Sequence, residues 1–175
     1  MAYVTLPSSG GAVFRIHYTQ TSDIATNTSV IKVTKVEVKL SSYVGQFYFN
    51  GSITIGGKTV ANMSSTNGTH YANVNAKDTF YTVNGSYGSA SIAHNADGTK
   101  TVAFATVNVK GYYNGSSKFT SATSKDVPLD AISRGLVRID SGSGFVDYQV
   151  YIDNGSSWDL YMPYVDNGSS WDLCS

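Results

Sequence analysis

The side chains best suited to chemistry sit near the C-terminal end of the 175-residue chain. Tyr148 to Leu160 reads YQVYIDNGSSWDL and Tyr161 to Leu173 reads YMPYVDNGSSWDL, a tandem repeat of 13 residues. The first copy sets Tyr151 and Trp158 beside Asp153 and Asn154, and the second sets Tyr164 and Trp171 beside Asp166 and Asn167. Aromatic faces stack on the apolar face of a sugar ring, and carboxylates and amides take its hydroxyls. These eight residues are therefore the candidate ligand-binding set, for a glycan or for a protein interface. The competing reading makes the tryptophans the internal core of the repeat. Each Asp-Asn-Gly loop has few carboxylates for a calcium ion and a turn explains them, so no metal is expected.

Catalytic patterns are missing. There is no Gly-x-Ser-x-Gly elbow, no His-Glu-x-x-His helix and no phosphate-cradling glycine loop. Most acids stand in turn contexts such as Asp97-Gly98 and Asp153-Asn154, not as a pair in contrasting environments. His17, His70 and His94 lack metal-ligand spacing. The expectation is a protein that is not an enzyme and uses no cofactor, with His94 bonding its own loop backbone.

The elements that position these residues are read from composition and periodicity. Tyr, Val, Thr, Ser, Asn and Gly dominate, and Glu37 is the only glutamate. That balance disfavours surface helices and suits pleated, half-buried strands. Ala12 to Thr19 alternates, putting Phe14, Ile16 and Tyr18 on a core face and Arg15 and His17 toward solvent. In Val30 to Leu40, Ile31 and Val33 keep one register and Val36, Val38 and Leu40 the other, which predicts a bulge, kink or break near Thr34 and Lys35. Val44 to Phe49 and Ser52 to Ile55 are predicted to meet in a hairpin across Asn50-Gly51, with Gly56-Gly57 leading into Lys58 to Met63. Further strands are predicted over Tyr71 to Asn75, Thr79 to Val83, Ala90 to Ala93, Lys100 to Tyr113 and Phe119 to Val127. The fold class expected is all-β: an immunoglobulin-like Greek-key β-sandwich of roughly seven to nine strands, followed by tandem β-hairpin repeats.

Three regions follow: a sandwich over 1–127, a linker over 128–134 that Pro128 opens, and three 13-residue hairpin units over 135–175. The first unit, GLVRIDSGSGFVD, is degenerate. A lone hairpin is marginal in water, so the units must share a core with one another, with the sandwich or with other chains. A homo-oligomer, a trimer among the closed forms, is one expectation; a small flap on the sandwich is the other. Residues 1–134 hold eleven Lys/Arg against six acids, and 135–175 hold one against six, so charges of +5 and −5 are segregated. No basic stripe interleaved with aromatics points to nucleic acid. No signal sequence or bilayer-spanning run is present, and the lone Cys174 allows no intrachain disulfide. The eight Asn-x-Ser/Thr sequons are then better read as turns than as glycan acceptors.

The 1–134 region resembles a family of domains in the tail-associated minor structural proteins of siphovirus-type phages of Gram-positive hosts. Three features bear the resemblance: the loop Ala93-His94-Asn95-Ala96-Asp97-Gly98-Thr99-Lys100 before an apolar strand, the expected Tyr43 to Ile55 hairpin, and Val127-Pro128-Leu129-Asp130-Ala131-Ile132 closing the domain. Ser133 between Ile132 and Arg134 departs from the family's Ile-Pro-Arg ending. The resemblance implies a virion protein made in the host cytoplasm and displayed on the particle exterior. A tail-associated role in assembly or host-surface attachment is expected, with other virion proteins and host-surface carbohydrate as partners. Capsid decoration is the alternative within that class, and a carbohydrate-binding module or adhesin the alternative of another class.

Overall fold

The computed structural model describes residues 1–41, 45–63, 71–74, 79–83, 85–113, 116–132, 136–161, 164–166, 169 and 171–173. Among them every regular element is a strand, as the scarcity of helix formers and the wealth of β-branched and aromatic residues dictate. The chain divides into two compact units, one formed by 1–21, 29–92 and 101–129 and the other by 22–28, 93–100 and 130–175.

In chain order the strands are β1 (Ala2–Thr5), β2 (Ala12–Asp23), β3 (Thr28–Leu40), β4 (Gly45–Ile55), β5 (Lys58–Met63), β6 (Tyr71–Val74), β7 (Tyr81–Val83), β8 (Ser89–Ala93), β9 (Thr101–Tyr113) and β10 (Ser116–Pro128). They form two five-stranded sheets, β1-β2-β3-β7 with β8 also on β3, and β10-β9-β4-β5 with β6 also on β4. Both sheets contribute to one apolar cluster: Phe14, Ile16, Ile31, Val36 and Leu40 from the first, Phe49, Ile53, Phe104 and Val109 from the second, all fully buried. Phe14 meets Phe49 edge-on with centroids 6.4 Å apart. The architecture is all-β and sandwich-like.

The expected alternation in β2 is present, with Phe14, Ile16 and Tyr18 buried. β3 is continuous, and both of its registers are buried. The phase slips by one residue at Thr34 and Lys35, neither of which is buried, so the strand absorbs the extra residue without breaking. Beside this slip the partner is itself interrupted between β7 and β8. There Gly88 accepts a bond from Val33 N at 3.1 Å and gives one to Val60 O at 2.7 Å, and the Tyr87 hydroxyl donates back to the Val83 carbonyl.

Three expectations are corrected. Asn50-Gly51 is no hairpin turn: β4 runs through it, and the ladder with β9 shifts register between Asn50 and Ser52. Gly51 has φ 132°, and a Cβ there would stand 2.6 Å from Val109 Cα. The glycine serves a bulge where two backbones touch, so the close approach of β9 overrides the local turn preference. The tight turn is Gly56-Gly57, at φ 56° and 76°, joining Ile55 to its partner Lys58. The strand count also differs: ten strands are described up to Pro128, because the four-residue β1 ahead of Pro7 carries little pattern of its own. The third correction concerns His17, which faces outward yet is largely covered, with a side chain only 14% exposed, because Glu37 and Tyr3 close over it.

β10 is an edge strand, and Pro128 is tolerated at its end opposite Thr101. Its ladder with β9 shifts register twice. At the second shift the buried Thr106 hydroxyl bonds Ser121 Oγ at 3.0 Å and accepts Thr123 N at 3.2 Å. Ser9 Oγ accepts Ala122 N at 3.3 Å, and Gly10 lies so close to Thr120 that a Cβ would stand 2.2 Å from its carbonyl oxygen. Leu129, next along the chain, belongs to the core.

In the second unit β11 (Leu136–Asp140), β12 (Phe145–Asp153) and β13 (Trp158–Tyr161) form a three-stranded sheet, and β14 (Tyr164–Asp166) pairs with β15 (Trp171–Leu173). The three antiparallel ladders close at Asp140↔Phe145, Asp153↔Trp158 and Asp166↔Trp171. The His94 loop is a clamp. Its Nδ1 donates to the Gly98 carbonyl at 2.7 Å, Asn27 Nδ2 donates to the Asn95 carbonyl at 2.9 Å, and Gly98 O accepts Ile132 N at 3.0 Å. Ile132 is buried, and Gly98 must be glycine, since a Cβ would lie 2.0 Å from Ile132 O.

Candidate functional site

The four-residue loop after Asp153 folds on its own polar groups. Asp153 Oδ1 accepts Gly155 N at 2.8 Å, with Gly155 at φ 87°. Asn154 Oδ1 accepts Ser156 N at 3.0 Å and Ser157 N at 2.9 Å, and its amide donates to Ser157 Oγ and to Asp159. This closes the turn and fixes the register Asp153↔Trp158. Paired residues share a face, so Tyr151, Asp153 and Trp158 lie together on one side of the sheet. Tyr148, Val150, Ile152 and Tyr161 lie on the other.

Of the eight residues nominated from sequence, the structure thus brings Tyr151, Asp153 and Trp158 together, while Asn154 is spent in its turn. Trp158 is 68% exposed and Tyr151 49%, so Trp158 is not packed in a core within this chain. Tyr164, Asp166 and Trp171 stand at matching ladder positions in β14 and β15, and Asn167 lies outside the described residues. Tyr148, Ile152 and Tyr161 are about half exposed as well. The sheet offers aromatic surface on both faces and a spare carboxylate oxygen on one. That equipment suits stacking, against a sugar ring or another protein, better than proton transfer.

A second cluster went unnoticed in the sequence. On the outer face of the first sheet Glu37, with a side chain 12% exposed, meets His17 Nε2 at 2.7 Å, Lys35 Nζ at 2.8 Å and Arg15 at 3.6 Å. Burial pushes the Glu37 carboxyl up, but hydrogen bonds from Lys35 and His17 outweigh it and hold the group below its usual range. The Arg15 guanidinium sits 3.8 Å from the Phe80 centroid and 4.9 Å from that of Tyr3. The one available signal was a single glutamate on a lysine-rich strand. Asp97 and Asp23 serve turns: Asp97 accepts Thr99 Oγ1 at 2.7 Å and its N at 3.0 Å, and Asp23 accepts Ala25 N at 2.9 Å. Hydrogen bonds to Thr99 and Thr26 lower these two carboxyls. Among the described residues no three His, Cys, Asp or Glu side chains gather as a metal site would require, and no helix is long and apolar enough to cross a membrane.

Comparison with protein-family models, with curated proteins and with solved structures finds no match.

Proposed function

We propose that the chain is a structural protein on the exterior of a phage virion, tail-associated, whose C-terminal hairpins mediate assembly with copies of itself or with neighbouring virion proteins. The observation that carries this reading is the aromatic surface on both faces of the β11-β12-β13 sheet. So small a sheet lacks the means to hold a core of its own, and exposed Tyr148, Tyr151, Trp158 and Tyr161 are the residue types that anchor protein contacts. The ladder closures at Asp140, Asp153 and Asp166 follow the 13-residue sequence period, which supports tandem hairpin units over 135–175 after the sandwich of 1–127 and the connecting 128–134. Tyr87, bonding back to a backbone carbonyl four residues upstream, is the device that fixes corners in Greek-key sandwiches and supports an immunoglobulin-like domain.

Light scattering coupled to gel filtration tests the proposal on the full chain and on Trp158→Ala. A closed oligomer that falls to monomer in the variant is expected, and a monomeric full chain sinks self-assembly through the hairpins. Immunogold labelling of intact particles then separates tail from capsid decoration. Tyr151, Asp153 and Trp158 sharing one face favour a second reading, a carbohydrate-binding module or adhesin. Saturable binding on a glycan array, lost in Trp158→Ala, would favour it.

A further inference from the structure

A cleft of about 310 Å³ opens in the first unit, lined by Tyr3, Val4 and Thr5 of β1 and by Lys125, Asp126, Val127 and Pro128 of β10. These strands are the edges of the two sheets. The volume is at the small end of ligand pockets, the scale of one sugar ring and not of a polymer.

Tyr3 stands 59% exposed although it is braced. The Arg15 guanidinium lies 4.9 Å from its ring centroid and the His17 ring 5.5 Å. Arg15 is itself fixed by stacking on Phe80 at 3.8 Å, by Thr5 Oγ1 at 3.5 Å from its Nε and by Glu37 at 3.6 Å. A ring and a guanidinium held this way lose little freedom when a ligand arrives. Lys125 and Asp126 line the cleft, and behind Tyr3 and Thr5 the Arg15 guanidinium and Lys35 stand against Glu37, so these described charges are net cationic. Glu37 already holds three partners, and among the described residues no other carboxylate forms an ion pair with these cations.

We propose that this cleft binds an acidic sugar unit, a pyranose bearing a carboxylate or phosphate. The apolar sugar face stacks on Tyr3 against Val127 and Pro128, the anion is drawn to Lys125, and Asp126 and Thr5 take hydroxyls. The site shares no residue with the hairpin sheet, so its fate is independent of the proposed assembly role.

The test titrates the full chain, followed by amide chemical shifts, with glucuronic acid, glucose 6-phosphate, glucose and inorganic phosphate. Saturable binding of at least one acidic sugar is expected, with glucose and inorganic phosphate each about tenfold weaker or more. Tyr3→Ala and Lys125→Ala should each weaken binding about tenfold, the size of one lost stacking or charge contact, with the fold retained in the amide spectrum, while Trp158→Ala leaves it unaltered. Absence of saturation by any acidic sugar overturns the proposal. So does equal binding of glucose, equal binding of phosphate with no effect of Tyr3→Ala, or loss of binding in Trp158→Ala.

Discussion

His17 Nε2 lies 2.7 Å from Glu37 Oε2 across two neighbouring strands, 20 positions apart in sequence. The pair is the centre of a largely covered charge network on a sheet face that alternation alone assigns to solvent. Glu37→Gln removes the only carboxylate that the described residues place among Arg15, His17 and Lys35 and should cost about 2 kcal/mol, the range of hydrogen bonds to charged groups. Urea unfolding at neutral pH measures it. A loss under about 0.5 kcal/mol would show the network to be screened like a surface ion pair.

The same carboxyl sets an acid limit. Its folded pKa is depressed, so its contribution is complete above the ordinary glutamate range near 4.3 and fades as pH falls through the lower folded value. Wild type should therefore lose more stability than Glu37→Gln as pH drops through this window, and the two curves should converge at the acid end.

Tyr87 gives the alkaline counterpart. Burial raises its hydroxyl to about 12. A raised tyrosine pKa contributes stability that is full below the unfolded value near 10 and is lost as pH climbs through the folded one. Absorbance titration should find one tyrosine ionising about two units above the exposed ones. Tyr87→Phe should remove that step and flatten the stability decline between about pH 10 and 12.

Gly51 and Gly57 should respond in opposite ways. Gly51→Ala drives a Cβ into the β9 backbone at a strained φ and should cost about 3 kcal/mol or more. Gly57 has φ 76° and open space around it, so Gly57→Asn should stay within about 1 kcal/mol. Denaturation midpoints decide, and equal losses would refute the bulge.

Gly111→Ala should rank with the core truncations. Phe119 lies across its cross-strand partner Gly111, with Cε1 2.1 Å from where a Cβ would be. Phe119 also meets Phe47 and Phe49, each with centroids 6.1 Å away. Displacing the ring should cost about 3 kcal/mol, read as a lowered thermal midpoint.

What could be read in advance follows from the range of each cause. The alternation of Phe14, Ile16 and Tyr18 and the register slip of β3 are short-range patterns, and both appear in the structure. The 13-residue repeat is legible because a repeat announces itself. Asn50-Gly51 misled because its turn preference is local, whereas β9 approaches from more than fifty residues away in sequence. The cleft between Tyr3 and Lys125 escaped because it lies between edge strands of different sheets far apart in sequence, and the Glu37 network because alternation alone assigns its face to solvent. Asn154 looked like a ligand donor by type, yet its bonds to Ser156, Ser157 and Asp159 are met within its own turn.

The outer margin of β10 decides how copies of this protein can crowd. Two register shifts, the Ser9 hydroxyl at Ala122, Gly10 against Thr120 and the terminal Pro128 leave little straight backbone there for another strand to align on. This margin then resists the strand-to-strand addition that fuses sheets into a fibre, and a protein that meets it does so through side chains, which can be tuned singly, and not through the 4.8 Å repeat of a growing sheet.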